Sequence, residues 1–477
     1  MKKFISLLLV TVLVLGLCAC GASGEKASAK GFQVGFSRQS ITPTQVGVQI
    51  AGGDATSRLS TGFLDEVSTT CIAIAKDGET YLVYTCDFMI VYDSIIAPVK
   101  TVISTATGVP ESNILFNCTH THSGVNILST NWDGGAAYRD LFSNRALKAA
   151  EKAIEDLSPA TISYGSTQTE GMTFVRHYRM NDGGTMGNGH GSKNSSGIKE
   201  HMYEADGELQ IIKFSRADET KKDIMIASFP SHATTVNGTN RTALSACYPG
   251  AFRTAVEQNG GVLCAFFQGA SGDQIPTSRI KDLPATPNDH KLHGAKLAEY
   301  ALGVELTPME NDALSFKRWD YTGKSMKEGT DNAELLAKAN EIAALSAQKG
   351  SSDPAVSELV AKYGFESVYE ATGLKSRVSA PETRTMDLVA LQLGSEVSMV
   401  FAPYEMFGMH GKYIKDNSPF AMDFIVTCSE DYQGYFPHVE GCEEGFYEYD
   451  VTKYERGTGE KLAELFAATL AEMKNAG

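Results

Sequence analysis

Short, continuously apolar runs punctuate the chain. Tyr81-Leu82-Val83-Tyr84, Ile114-Leu115-Phe116, Ile224-Met225-Ile226-Ala227 and the six residues from Val262 to Phe267 are too short for ordinary helices. Such runs predict strands buried on both faces. From Gly31 to about Pro308 they alternate with helix-like stretches, which predicts an α/β layer architecture. Residues 309–385 read as more helical. There Leu335, Ala339, Ile342 and Leu345 share one face, Asp331 and Glu334 make a capping start, and Gly350 ends the helix. Strands return at Val397–Phe401 and Phe424–Thr427, and a closing helix carries Leu462, Phe466 and Met473 on its apolar side. Between Tyr178 and Tyr203 the chain is rich in Gly, Asn, Ser and His, which predicts a long loop.

Several of these apolar runs lead into unusual polar residues. Ile114-Leu115-Phe116 runs into His120 and His122; Ile224 to Phe229 runs into His232; Val262 to Phe267 runs into Gln268, Ser271 and Asp273. Val397 to Phe401 runs into Glu405, and Phe424 to Thr427 into Glu430, Tyr432 and Tyr435. Ligands of open α/β sheets bind beyond the carboxyl ends of the strands, so these clusters predict one assembled site. His120 and His122 stand two apart, and on a strand they would point to the same face. Two or three imidazoles with a carboxylate suit Zn²⁺, which takes nitrogen and oxygen ligands and keeps a position for water. Spacing alone leaves a metal site and a hydrogen-bonded polar pocket equally open. Gly269 to Asp273 misses the serine-nucleophile pattern at its last position, which leaves Ser271 as a turn residue or an oxyanion donor. Arg176, next to Phe174 and Val175, is a candidate anion or oxyanion partner.

Charge narrows the function. The 477 residues carry 42 Lys and Arg against 57 Asp and Glu, a net charge of −15, with no basic run that would bind nucleic acid. Residues 1–20 read as an export signal, with Lys2 and Lys3 before a short apolar segment. Its end, Leu17-Cys18-Ala19-Cys20, resembles a bacterial lipobox, with Cys20 as the acylated residue and residues 21–30 as a flexible tether. The expected location is therefore extracytoplasmic and lipid-anchored, with secretion after cleavage near Ala22 as the alternative, and residues 31–477 are the expected folded domain. Nine cysteines without a CxxC spacing, most of them in apolar runs, predict few or no disulfides.

The order of motifs resembles the catalytic domain of the neutral/alkaline ceramidases, zinc amidohydrolases that cleave N-acylsphingosine. The resemblance rests on Ile41-Thr42-Pro43, THTHSG at 119–124, FPSHATTV at 229–236, FFQGASGDQIP at 266–276, APYEMFGMHGK at 402–412 and CSEDYQGY at 428–435. It implies mixed β-sheets flanked by helices, with 309–385 as a helical insertion and one zinc ion per chain. The implied ligands are His120, His232, Glu405 and Tyr435, with His122 and Arg176 as catalytic groups. Gln268, Ser271, Asp273, Ile275 and Tyr432 are the expected substrate contacts. Ile275 falls where the family has a serine and Cys247 where it has an aspartate, departures that bear on ceramide as substrate. The expected partners are an N-acylated lipid or small amide and, through Cys20, a membrane. A ligand-binding lipoprotein without chemistry and a zinc esterase are the alternatives.

Overall fold

Strands that are apolar on both sides need a covering layer on each face, and two packed sheets with helices outside provide it. In the computed structural model of the protein, the described residues are 31–52, 58–129, 132, 134–188, 190–191, 195–236, 240–280, 283 and 288–476. The signal segment, the tether and Cys20 lie outside them. Among the described residues, a nine-stranded sheet runs Leu263–Gln268, Ile224–Phe229, Glu208–Arg216, Ser158–Gln168, Gln33–Ser40, Ser68–Lys76, Glu79–Cys86, Ile114–Cys118, with Thr307–Pro308 beside Ser158–Gln168. A second sheet orders Leu314–Lys324, Thr383–Leu393, Val397–Phe401 and Met422–Val426. Both sheets mix parallel and antiparallel pairs.

The Ser68–Lys76 strand shows how burial on both faces works. Cys71 and Ala73 pack toward the helices Asp93–Thr107 and Gly135–Glu155, while Ile72 and Ile74 face the other sheet. Between the sheets, Ile72, Leu115, Ile226 and Phe267 meet Leu391, Met399 and Phe424 in one fully buried cluster. Helices Cys247–Gly260 and His290–Leu302 cover a further part of the large sheet, and Thr458–Ala476 covers the small one. The mixed-sheet α/β expectation therefore holds. Among the described residues, no helix is long and apolar enough to cross a membrane.

Local expectations fared unevenly. The stretch 309–385 opens with a strand, Leu314–Lys324, and its helices Ala333–Lys349, Pro354–Tyr363 and Val368–Val378 lie between two strands that pair antiparallel. The cap of the first helix is Asn332 rather than Asp331, its side chain accepting the Leu335 N–H at 3.0 Å. Tyr178 to Tyr203 is not an open loop. Tyr178–Met180, Thr185–Gly187, His190–Gly191 and Ile198–His201 form a small sheet, closed by backbone pairing that the polar composition did not reveal. The six described cysteines are buried free thiols, and the Cys442 side chain lies outside the described residues.

Candidate metal centre

Parallel pairing brings the carboxyl ends of strands together. Glu79–Cys86 runs parallel to Ile114–Cys118, Ile224–Phe229 to Leu263–Gln268, and Val397–Phe401 to Met422–Val426. At the ends of these pairs stand His120, His232 and Glu405, and the short parallel bridge of Glu405–Met406 with Tyr435–Phe436 sets Glu405 opposite Tyr435.

His120 and His122 do not ride on the strand as the alternation argument required. The strand ends at Cys118, and His120 takes a left-handed backbone, φ 58°. A residue other than glycine is strained there and is held by its surroundings. The His122 N–H donates to the Ala233 carbonyl at 3.1 Å, which ties this turn to the one carrying His232. Gly52 lies against the His122 ring, where a Cβ would come within 2.6 Å of Nδ1.

The imidazoles are oriented from behind. His120 Nδ1 lies 2.8 Å from the Met89 carbonyl, and His232 Nδ1 lies 2.7 Å from the Ser271 carbonyl and 3.0 Å from that of Gln274. Backbone carbonyls only accept, so Nδ1 carries the proton in both rings and a neutral ring presents a bare Nε2. Both Nε2 atoms face Glu405 Oε2, at 3.3 and 3.2 Å. That oxygen is buried and has no hydrogen bond of acceptable geometry. Tyr432 donates to the other carboxylate oxygen, Oε1, at 2.7 Å.

Three acceptors facing one another call for a positive charge. The titration behaviour agrees. Burial opposes ionisation of Glu405, yet the neighbouring histidines hold its carboxyl well below the usual range. Burial and the Arg176 guanidinium push His232 down to about 4. Burial also opposes charge on His120, but Glu405 and Cys428 drive its pKa well up, so without another cation this cluster takes a proton. The donor set fits zinc. His120, His122 and His232 each offer a nitrogen within 4.8 Å of the others, so His122 is placed among the candidate ligands. The Tyr435 hydroxyl lies 3.4 Å from His232 Nε2.

Arg176 follows the two-residue strand Phe174–Val175, which pairs with Gln274–Ile275, and its N–H donates to the Asp273 carbonyl at 2.9 Å. Its buried guanidinium donates to Glu448 Oε1 at 2.6 Å and to the Gly272 carbonyl at 2.8 Å, and lies 3.4 Å from His232 Nε2. Glu448 also holds His177 at 2.9 Å, and the Arg176 and His177 charges, working against burial, keep its carboxyl at about 2.

A cavity of about 440 Å³ opens onto this centre, its wall including His122, His232 and Tyr435 together with Ile275, Tyr369 and Tyr447. Ile275 is half-buried on that wall. Gln268, Ser271, Asp273 and Tyr432, expected as substrate contacts, are not among the residues that line this cavity. Gln268 donates to the Ser231 carbonyl and the Ser271 hydroxyl, at 2.9 and 2.6 Å, and Asp273 accepts the Gly408 N–H at 2.8 Å. These bonds shape the turn whose carbonyls orient His232. Tyr432 positions Glu405. Sequence reasoning missed Glu448, Tyr369 and Tyr447; the acidic-aromatic run Tyr447-Glu448-Tyr449-Asp450 was the available signal. A larger cavity, about 600 Å³, is lined by the ion-paired Asp206, Glu208 and Lys415 and by none of the histidines of the centre.

No family model and no curated protein matches the chain. Among solved structures it is similar to neutral ceramidase from Pseudomonas aeruginosa, with TM-score 0.66 and 15% identity, over 94% of this chain and 75% of that one. It is similar also to a ceramidase complexed with C2, with TM-score 0.65 and 15% identity, over 94% of this chain and 76% of that one. The chain therefore has a ceramidase-like fold.

Proposed function

We propose that the protein is a zinc-dependent amidohydrolase that cleaves an N-acyl amide, exported and held at the membrane through Cys20. The observation that carries this reading is the unpartnered Glu405 Oε2, buried between the Nε2 atoms of His120 and His232. The ceramidase-like fold supports it. His120, His232, Glu405 and Tyr435 would hold the ion. Zinc at such a site lowers the pKa of bound water toward neutrality and polarises a carbonyl.

The chain's own residues supply the rest. Arg176 is fixed by Glu448 and the Gly272 carbonyl beside His232, where its guanidinium can donate to an acyl oxygen as negative charge develops. In this assignment His122 stays outside the ligand set, and from the cavity wall, where it is half-buried, it can take the proton released by water and return it to the departing amine. The water oxygen bonds to the acyl carbon, the C–N bond breaks, and the amine nitrogen leaves with that proton.

The purified protein should carry about one zinc per chain, measured by elemental analysis. His120→Ala and His232→Ala should each lose it, together with hydrolysis of an N-acyl amine. Stoichiometric zinc retained in both variants would rule out this centre. Turnover of paired amide and ester substrates separates amidase from esterase.

A further inference from the structure

The wall of the cavity is unlike the rest of the molecule in its charge. The chain carries a net charge of −15, yet among the described residues lining this cavity there is no Asp or Glu, while Arg176 and Arg279 are both present. The two arginines are not equivalent. Arg176 is buried, and its guanidinium is committed to Glu448 and a carbonyl. Arg279 is exposed, and among the described residues no carboxylate pairs with it.

Its backbone is nonetheless anchored. The Arg279 N–H donates to the Tyr178 hydroxyl at 3.2 Å, and the neighbouring Ser278 hydroxyl lies 2.9 Å from His201 Nε2 while accepting the Ile280 N–H at 3.0 Å. The small sheet that replaces the expected loop thus fixes the segment from which Arg279 reaches the cavity. The same cavity is lined by Tyr369 and Tyr447, edge to face with ring centroids 4.9 Å apart, and by Ile275. The tyrosines and Ile275 offer an amphipathic surface for an acyl chain, and Arg279 offers a guanidinium, whose planar fork matches a carboxylate.

Resting on the amidohydrolase reading, we infer that the substrate is an anionic amide of the N-acyl amino acid type, its carboxylate held by Arg279. Arg279 is then a specificity-determining residue and touches none of the reacting atoms. The Arg279 guanidinium, on a wall whose described residues include no Asp or Glu, favours such an anion over a neutral amide of the same length.

The test compares N-dodecanoylglycine with the neutral N-dodecanoylglycinamide on zinc-loaded protein. Wild type should show kcat/KM about tenfold or more higher on the carboxylate, the scale of one charge-assisted contact. Arg279→Gln should abolish that preference, mainly by raising KM for the carboxylate, and Arg279→Lys should retain part of it. Equal kcat/KM on the two substrates, or an Arg279→Gln effect that scales both alike, would overturn the inference. If neither amide is cleaved, the amidase reading fails separately, and equilibrium binding of N-dodecanoylglycine decides the anion site. Binding about tenfold weaker in Arg279→Gln upholds it. Equal or absent binding ends it.

Discussion

Arg176 shows what a single buried side chain requires of the rest of the chain. A guanidinium in a buried position demands a compensating carboxylate, and Glu448, fully buried, provides it from a distant part of the chain. Glu448→Ala should cost about 3–5 kcal/mol of stability, read from the shift in a urea unfolding midpoint, because it strands the buried guanidinium. Glu448→Gln keeps an oxygen acceptor for Arg176 and should cost less. Since the Glu448 carboxyl is depressed to about 2, its contribution is complete above the ordinary carboxylate range and fades as pH falls toward 2. The gap between wild type and Glu448→Gln should therefore narrow in acid. A gap independent of pH would mean that the ion pair does not carry the effect.

Among elements, the helical stretch inserted between Leu314–Lys324 and Thr383–Leu393 reaches the site through one close contact. Helix Val368–Val378 packs on Tyr447–Val451 so tightly that a Cβ on Gly373 would come within 2.1 Å of the Asp450 carbonyl oxygen. Arg377 reinforces the contact by donating to the Tyr449 carbonyl at 3.1 Å. This approach is what sets Tyr369 against Tyr447 on the cavity wall. Gly373→Ala should force the two helices apart, at about 1–3 kcal/mol, the usual cost of overpacking. It should also raise KM for an N-acyl amine more than it lowers kcat, as expected of a wall that binds the acyl group. Unchanged stability and KM would show that the helix yields without disturbing the wall.

In the whole molecule, the candidate metal centre joins the two sheets. His120 and His232 stand at the ends of strands of the large sheet, whereas Glu405 and Tyr435 come from segments that follow strands of the small one. Glu430 reinforces the junction, accepting the Phe116 N–H at 2.8 Å while paired with Lys100 at 2.7 Å and Arg318 at 2.8 Å. An ion bound across that junction stabilises only the folded state, by about 2.7 kcal/mol when present at a hundred times its dissociation constant. Chelation should accordingly lower the melting temperature, and restoring zinc should recover it. A melting temperature indifferent to chelator would mean that no ion links the sheets.

The sequence by itself determined the layers and the inventory of chemistry. A strand buried on both faces must be continuously apolar, so Ile224–Phe229 and Leu263–Gln268 announced themselves, as did the polar residues beyond their ends. His120, His122, Glu405 and Tyr435 stood out beyond other apolar runs and Arg176 beside Phe174 and Val175, although the roles assigned to them came from the family resemblance. Tertiary structure decided how they meet. His120 and His122 converge through a left-handed turn and a bridge to Ala233, not through strand alternation, because the strand stops at Cys118. Tyr369, Tyr447 and Arg279 reach the cavity from segments far apart in the chain, and Glu448 holds Arg176 without lining it. Gln268, Ser271 and Asp273, expected as substrate contacts, hold the turn behind His232. Local periodicity reports which face of an element is apolar. It carries no record of the register between sheets or of the closeness of two helices, and those long-range packing choices set the geometry of the site.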